Sequence, residues 1–222
     1  MKLKILVTKH IEIQIILDLI CPWCFIGKRR LERALTMRPH VQPRFQWRPF
    51  LLNKEMPAEG IDRTAYLIRK FGSEARVRRV YGAIAETGQS LDIDFAFERI
   101  HRTPNSVNSH RLVKIAACEA REDIVVERLF KEFFLHGSDI GSRDILLKIA
   151  ADCGLDIHSV QRCLDSDEYI NFVYDENIRS HRMGVNGVPA FVFNQRMVIA
   201  GAQEPQVLAR MLDAAEMSCR QA

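Results

Sequence analysis

Cys21 and Cys24 are separated by Pro22 and Trp23. The pair falls where an apolar run, Ile11 to Ile20, gives way to helical spacing through Cys24, Lys28, Leu31 and Leu35. Two thiols one helical turn apart can close a disulfide with each other or exchange one with a substrate. The thiolate is the reactive form, and the first turn of a helix favours it with unpaired N–H groups and a positive dipole end. Cys21 is therefore expected to be the attacking thiolate. Lowering a thiol pKa from about 8.5 to about 6.5 raises the thiolate fraction at pH 7 from a few per cent to roughly three quarters. Pro22 suits this helix start, where it has no N–H to lose and its φ is preset. Cys24, one turn along and more buried, is expected to be the resolving thiol. A zinc half-site is the first alternative. It needs a second ligand pair, which Cys118, Cys153, Cys163 and Cys219 do not make at comparable spacing, so no metal is expected. Two small core residues are the second alternative, and a strand-to-helix corner with Pro-Trp between the sulfurs weighs against it.

The elements around the pair read in three blocks. Ile11 to Ile20 predicts a strand buried on both faces in the middle of a sheet. A helix follows to about Leu35 or Met37, stopped by Pro39, and Val41 to Phe50 alternates as a second strand. Strand, helix and strand within about forty residues make a parallel βαβ unit. A Cys-x-x-Cys beside such a unit is the sequence sign of a thioredoxin-like redox site.

After Asn53 the patterns turn helical. Ser73 is placed to cap a helix with Val77, Val80, Tyr81 and Ile84 on one face, and Leu91 to Ile100 reads as strand or extended loop. Later helices carry Leu112, Ile115 and Ala116, then Val126, Phe130, Phe133 and Phe134. One capped by Ser142 ends at Gly154, a short one spans Ile157 to Leu164, and a long one runs from about Asp167 to Gly184. Beyond the turn at Gly184 to Pro189 come strands Ala190 to Phe193 and Met197 to Ala200, then a closing helix from Glu204 to Met217. The expected fold is α/β and thioredoxin-like, βαβ then ββα, with a large all-helical insertion. The discontinuous thioredoxin-like domain takes residues 11–53 and 184–217, and the insertion takes 54–183.

Composition narrows the function classes. The 222 residues are 47% hydrophobic and 27% charged, with a formal charge of +4 spread along the chain, so a nucleic-acid partner is not expected. Arg76, Arg78 and Arg79 alternate with Val77 and Val80 as the solvated side of an amphipathic helix. Met1 to Val7 begins like a basic-then-apolar leader. Lys9, His10, Glu12 and Asp18 interrupt the apolar stretch and no small-residue cleavage site follows, so no signal peptide is expected. No run reaches the about 18 apolar residues of a spanning helix, so no membrane partner is expected. A cytoplasmic location follows, where thiols are kept reduced and a Cys pair is catalytic more often than structural.

The ordered motifs resemble those of the thioredoxin superfamily, in its DsbA-like branch and most closely the FrnE-like dithiol-disulfide oxidoreductases. The resemblance rests on Asp18-x-x-Cys21-Pro22-Trp23-Cys24-x-x-Gly27, on Trp47-Arg48-Pro49-Phe50 with Leu52-Asn53, and on Pro104-Asn105-Ser106 with His110-Arg111-Leu112. Gly184-Val185-x-Gly187-Val188-Pro189-x-Phe191 and Gly201-Ala202-Gln203 complete it. Ser106 and Ser109 stand where the pattern has Thr and Ala. The resemblance implies a cis Val188–Pro189 bond facing the thiols, with the Val188 backbone open to an extended substrate segment. Trp23 is expected to offer substrates an apolar contact. Asp18 has two readings: a proton acceptor for Cys24 with a raised pKa, or a helix cap. His110, which the pattern puts in the block over the site, is either a cation favouring the thiolate or a surface or capping residue. Cys153 and Cys163 lie on neighbouring short helices, where they either pair or stay buried and inert.

The expected function is thiol-disulfide exchange with protein thiols and disulfides through a redox-active Cys21–Cys24 disulfide. No bound cofactor is expected, glutathione is a candidate co-substrate, and the assembly is a monomer or homodimer. A glutathione-dependent isomerase or transferase of the kappa or 2-hydroxychromene-2-carboxylate type is the alternative. Those relatives usually have Ser at the position of Cys21 and need one thiol site, not a pair. A redox-gated holdase is the third reading.

Overall fold

A computed structural model describes residues 10–220, and the reading that Met1 to Val7 form no signal peptide falls outside them, as does the side chain of Cys219. The central strand β1 (His10–Leu17) lies between β2 (Gln42–Pro49), to which it runs parallel, and β5 (Ala190–Phe193), antiparallel to it; β6 (Met197–Ala200) closes the far edge. Burial on both faces is what the continuous apolar run of β1 requires, and Ile13, Ile15, Ile16 and Leu17 are all buried. The strand ends three residues before its apolar run does. At Asp18 the chain turns, with Cys21 N donating to the Asp18 carbonyl at 3.0 Å.

That turn feeds α1 (Pro22–Thr36), with Cys21 at its N-cap and Pro22 in its first turn. Phe25, Ile26, Leu31 and Ala34 bury one side of α1, and α9 (Pro205–Arg220) packs against it through the same core, with Leu208, Leu212 and Ala215 inward.

Between β2 and β5 run α2 (Arg63–Phe71), α3 (Glu74–Gln89), α4 (Val107–Cys118), α5 (Glu122–Phe134), α6 (Arg143–Asp152), α7 (Ile157–Leu164) and α8 (Ile170–Arg182). This block is not all helix. A two-residue antiparallel ribbon, β3 (Ile61–Asp62) with β4 (Arg102–Thr103), pins the start of α2 to the segment before α4. Two-residue strands are too short to leave an alternating pattern in sequence, which is why none was expected. The aromatic face of α5 meets the thiol-bearing helix directly: Phe25 stacks on Phe130 with centroids 5.0 Å apart, and Phe130, Phe133 and Phe134 are fully buried.

Smaller differences have local causes. Leu91 to Ile100 is a loop with a 3₁₀ turn at Phe97–Arg99. Ser142 occupies the N-cap of α6 without a side-chain cap bond, whereas Ser73 accepts from Arg76 N at 3.3 Å. The long helix expected from about Asp167, α8, begins at Ile170 because Tyr169, at φ 63°, breaks the run before it. Cys153 and Cys163 stay separate buried thiols, and Cys118 is exposed rather than buried. No helix among the described residues is long and apolar enough to cross a membrane.

Candidate active site

The two sulfurs differ in surroundings. Cys21 sits at the helix start, and its Sγ lies 3.7 Å from the carbonyl oxygen of Val188, across 167 residues of chain. The Val188–Pro189 bond beside it is cis. Cys24 lies one turn inside α1, its N–H donating to the Cys21 carbonyl at 3.0 Å. Burial, the hydrogen bond to the Cys21 sulfur and the nearby charges of Cys21 and Asp18 push the Cys24 thiol well above its ordinary value, against an opposing Asp18 backbone N–H. Cys24 therefore keeps its proton and donates it toward Cys21. Cys21 is itself only 5% exposed, so the attacking sulfur is recessed rather than displayed.

Gly27 shows how closely the parts are fitted. A Cβ at this position would sit 2.7 Å from Pro189 Cγ and 3.3 Å from Phe191 Cζ. The absence of a side chain lets α1 pass against the proline ring.

Asp18 is 1% exposed and works as a brace. Its Oδ2 accepts from Leu52 N at 2.8 Å and its Oδ1 from Ile20 N at 3.3 Å, tying the thiol loop to the segment after β2. It does not cap α1, whose N-cap is Cys21 and which starts without a side-chain cap bond. His110 is neither at the surface nor a cap. It is 3% exposed, in the first turns of α4, with Nε2 at 3.7 Å from Asp18 Oδ1 and no hydrogen-bond partner. It also borders a cavity of about 370 Å³ lined by Leu17 and β2 residues.

Cys21 opens onto a different cavity of about 280 Å³, which Cys21, Pro22, Trp23 and Val188 border together with residues of α2 and α3. Trp23, at 38% exposed, is the large apolar group presented there. Arg63, Tyr66, Lys70, Tyr81 and Thr103 also line it, and no motif had marked any of them. Arg63 is buried, with its guanidinium carbon 5.0 Å from the ring centre of Tyr81 and 5.8 Å from that of Phe97. Burial pulls its pKa below the ordinary value, with Tyr81 and Tyr66 opposing. Burial likewise pushes the phenols of Tyr66 and Tyr81 up, with the charge of Cys21 adding to each. The available signal for α2 lay in its ends: Asp62 accepts from Ala65 N at 2.8 Å, and Gly72 closes the helix at φ 89°.

The fold has counterparts among solved structures. A probable DsbA oxidoreductase of Streptomyces coelicolor is 23% identical and superposes with a TM-score of 0.83 over 93% of this chain and 90% of its own. A 2-hydroxychromene-2-carboxylate isomerase is 14% identical, with a TM-score of 0.69 over 95% of this chain and 97% of its own. The cytosolic disulfide reductase DsbM of Pseudomonas aeruginosa is 19% identical, with a TM-score of 0.64 over 95% and 100%. At these identities the likeness is one of fold, and that fold serves both disulfide chemistry and isomerisation. A family profile matches residues 12–213, and the chain belongs to the DSBA-like thioredoxin domain family.

Proposed function

We propose that this protein is a dithiol-disulfide oxidoreductase of the FrnE-like kind, in which Cys21 attacks a substrate disulfide and Cys24 resolves the product. The carrying observation is the inequality of the two sulfurs: Cys21 meets the Val188 carbonyl at 3.7 Å, while Cys24 is buried behind it with its proton held. Attack by Cys21 breaks the substrate S–S bond, forms a mixed disulfide and releases one thiolate. Cys24 then gives up its proton and attacks the Cys21 sulfur; the Cys21–Cys24 bond forms as the second thiolate leaves. Two electrons pass from the dithiol to the substrate. Asp18, buried beside Cys24, is the proposed proton acceptor in the second step, with His110 behind it. Pro22 fixes the helix start, Trp23 supplies apolar contact, and the Val188–Pro189 backbone receives the substrate.

Protein thiols and disulfides, and glutathione, are the proposed partners, in a cytoplasmic setting. The test is a single-turnover oxidation of the reduced protein by a disulfide. Cys21→Ser is expected to abolish it. Cys24→Ala is expected to stop at a mixed disulfide on Cys21, seen as an added mass. Full turnover by Cys21→Ser ends the proposal. Full glutathione-dependent isomerisation by Cys24→Ser would instead favour the isomerase or transferase chemistry, which needs one thiol site.

A further inference from the structure

Two buried polar atoms beside the thiols lack partners. Arg63 is 7% exposed and Thr103 3%, and neither Arg63 Nη2 nor Thr103 Oγ1 makes a hydrogen bond. Both residues line the cavity that Cys21 and Val188 border. One buried guanidinium nitrogen without an acceptor, in the same cavity wall as an unsatisfied hydroxyl, is a costly arrangement that an incoming anion would relieve. Asp62, Glu74 and Glu98 line a neighbouring cavity that Arg63 also borders, whereas the residues lining the thiol cavity include the cations Arg63 and Lys70 and no Asp or Glu. The cations that pair elsewhere, such as Arg29 with Glu127 at 2.9 Å, show the usual outcome when an acid is within reach. Arg63 is held in place by the rings of Tyr81 and Phe97, and Thr103 by its ribbon pairing with Ile61. The donors are thus fixed before any ligand arrives. The cavity, about 280 Å³, lies near the lower end of the about 300–1,000 Å³ typical of small-molecule sites. Cys21, 5% exposed, is recessed at its wall.

We infer that the groove selects small disulfides bearing a carboxylate, with Arg63 and Thr103 receiving the carboxylate while Cys21 meets the sulfur. This rests on the oxidoreductase reading and names its substrate class. A guanidinium suits the role, since its planar fork matches the two oxygens of a carboxylate. The electron balance is that of the exchange above: the small disulfide is the oxidant, two thiolates leave, and the protein dithiol becomes the Cys21–Cys24 disulfide.

The experiment compares three disulfides on similar two-carbon arms: 3,3′-dithiodipropionate (dianionic), 2-hydroxyethyl disulfide (neutral) and cystamine (dicationic). Single-turnover oxidation of the reduced protein gives a second-order rate constant for each. Dividing each by the rate of the same disulfide with free dithiothreitol removes intrinsic reactivity. Wild type is expected to prefer the dianion over both others. Arg63→Met is expected to lower the dianion-to-neutral ratio by about 10- to 100-fold, the worth of a hydrogen bond to a charged group. Arg63→Lys should keep part of the ratio and Thr103→Val should lose part of it. Suberate, which carries the two carboxylates without the sulfurs, should slow alkylation of Cys21 by iodoacetamide in wild type and in Thr103→Val less.

If Arg63→Met fails to fold, the ratio in Arg63→Lys and Thr103→Val and the suberate protection decide the matter. A wild-type ratio near one, a ratio that neither Arg63→Lys nor Thr103→Val changes, or no protection by suberate overturns the inference. Reduction of all three disulfides by Cys21→Ser at the wild-type rate would instead overturn the oxidoreductase reading itself.

Discussion

At the scale of single residues, the site turns on one missing side chain and one retained proton. Gly27 lies inside a helix, where Ala would ordinarily gain about 1 kcal/mol. Here its Cβ would be 2.7 Å from the Pro189 ring, which is too rigid to swing aside. Gly27→Ala is therefore expected to destabilise the protein by about 1–3 kcal/mol, as overpacked cores do, and to slow the single-turnover rate by moving Cys21 relative to Val188. Urea unfolding and the rate measurement check the two halves. Gly27, Cys21, Cys24 and Pro189 were all legible as motif positions. Their spacing showed two thiols at a helix start, with Cys24 the more buried, but not that Cys21 too would lie as deep as 5% exposed. The surface or capping reading of His110 fails for a related reason. A histidine on a helix of mixed composition gives no sign of which neighbour covers it, and here the β1–α1 loop does.

At the scale of elements, the thiol helix is held to the helical block by charge as well as by the stacked rings of Phe25 and Phe130. Lys28 and Arg29 of α1 converge on Glu127 of α5, with Lys28 Nζ at 2.7 Å and Arg29 Nη1 at 2.9 Å. Burial pushes the Glu127 carboxyl up, but hydrogen bonds from Arg29 and Lys28 and their charges outweigh it and hold the pKa at about 2, against an ordinary 4.5. A depressed carboxylate pKa stabilises the fold above the ordinary value, and that contribution fades as pH falls from about 4.5 to about 2. Glu127→Gln is expected to cost about 1–3 kcal/mol at pH 7 and to flatten the loss of stability across this acid window. Urea midpoints measured from pH 7 down to pH 3 test it. An equal acid slope in the variant would show that other carboxylates carry it. Sequence displayed the apolar faces of α1 and α5 but not this contact, because a charged residue on a helix looks solvated until a partner is folded against it. The same holds for Arg30, which donates to the carbonyl of Ala202 and so ties α1 to the Gly201-Ala202-Gln203 motif.

For the molecule as a whole, the inserted helices need a brace of their own. Arg111 supplies one, fully buried although charged. It donates to the carbonyls of Glu168 and Ser166 at 2.6 and 2.5 Å, to that of Cys163, and to Asn108 Oδ1 at 2.8 Å, fastening α4 to the segment between α7 and α8. Arg111→Met removes the charge and leaves those acceptors buried. It is expected to cost about 2–4 kcal/mol, read as a lower urea midpoint at an unchanged m-value. By itself the sequence determined the strand-to-helix corner with its thiol pair, the succession of elements at both ends and the helical character between them. These are set by local periodicity and by proline and glycine, which act within a few residues. Only the tertiary structure decided that Asp18 braces Leu52, that α2 and the β3–β4 ribbon wall the thiol groove, and that Arg63 and Thr103 face it unpaired. Those facts depend on which surfaces meet across tens of residues of chain, and packing fixes that where no local pattern does.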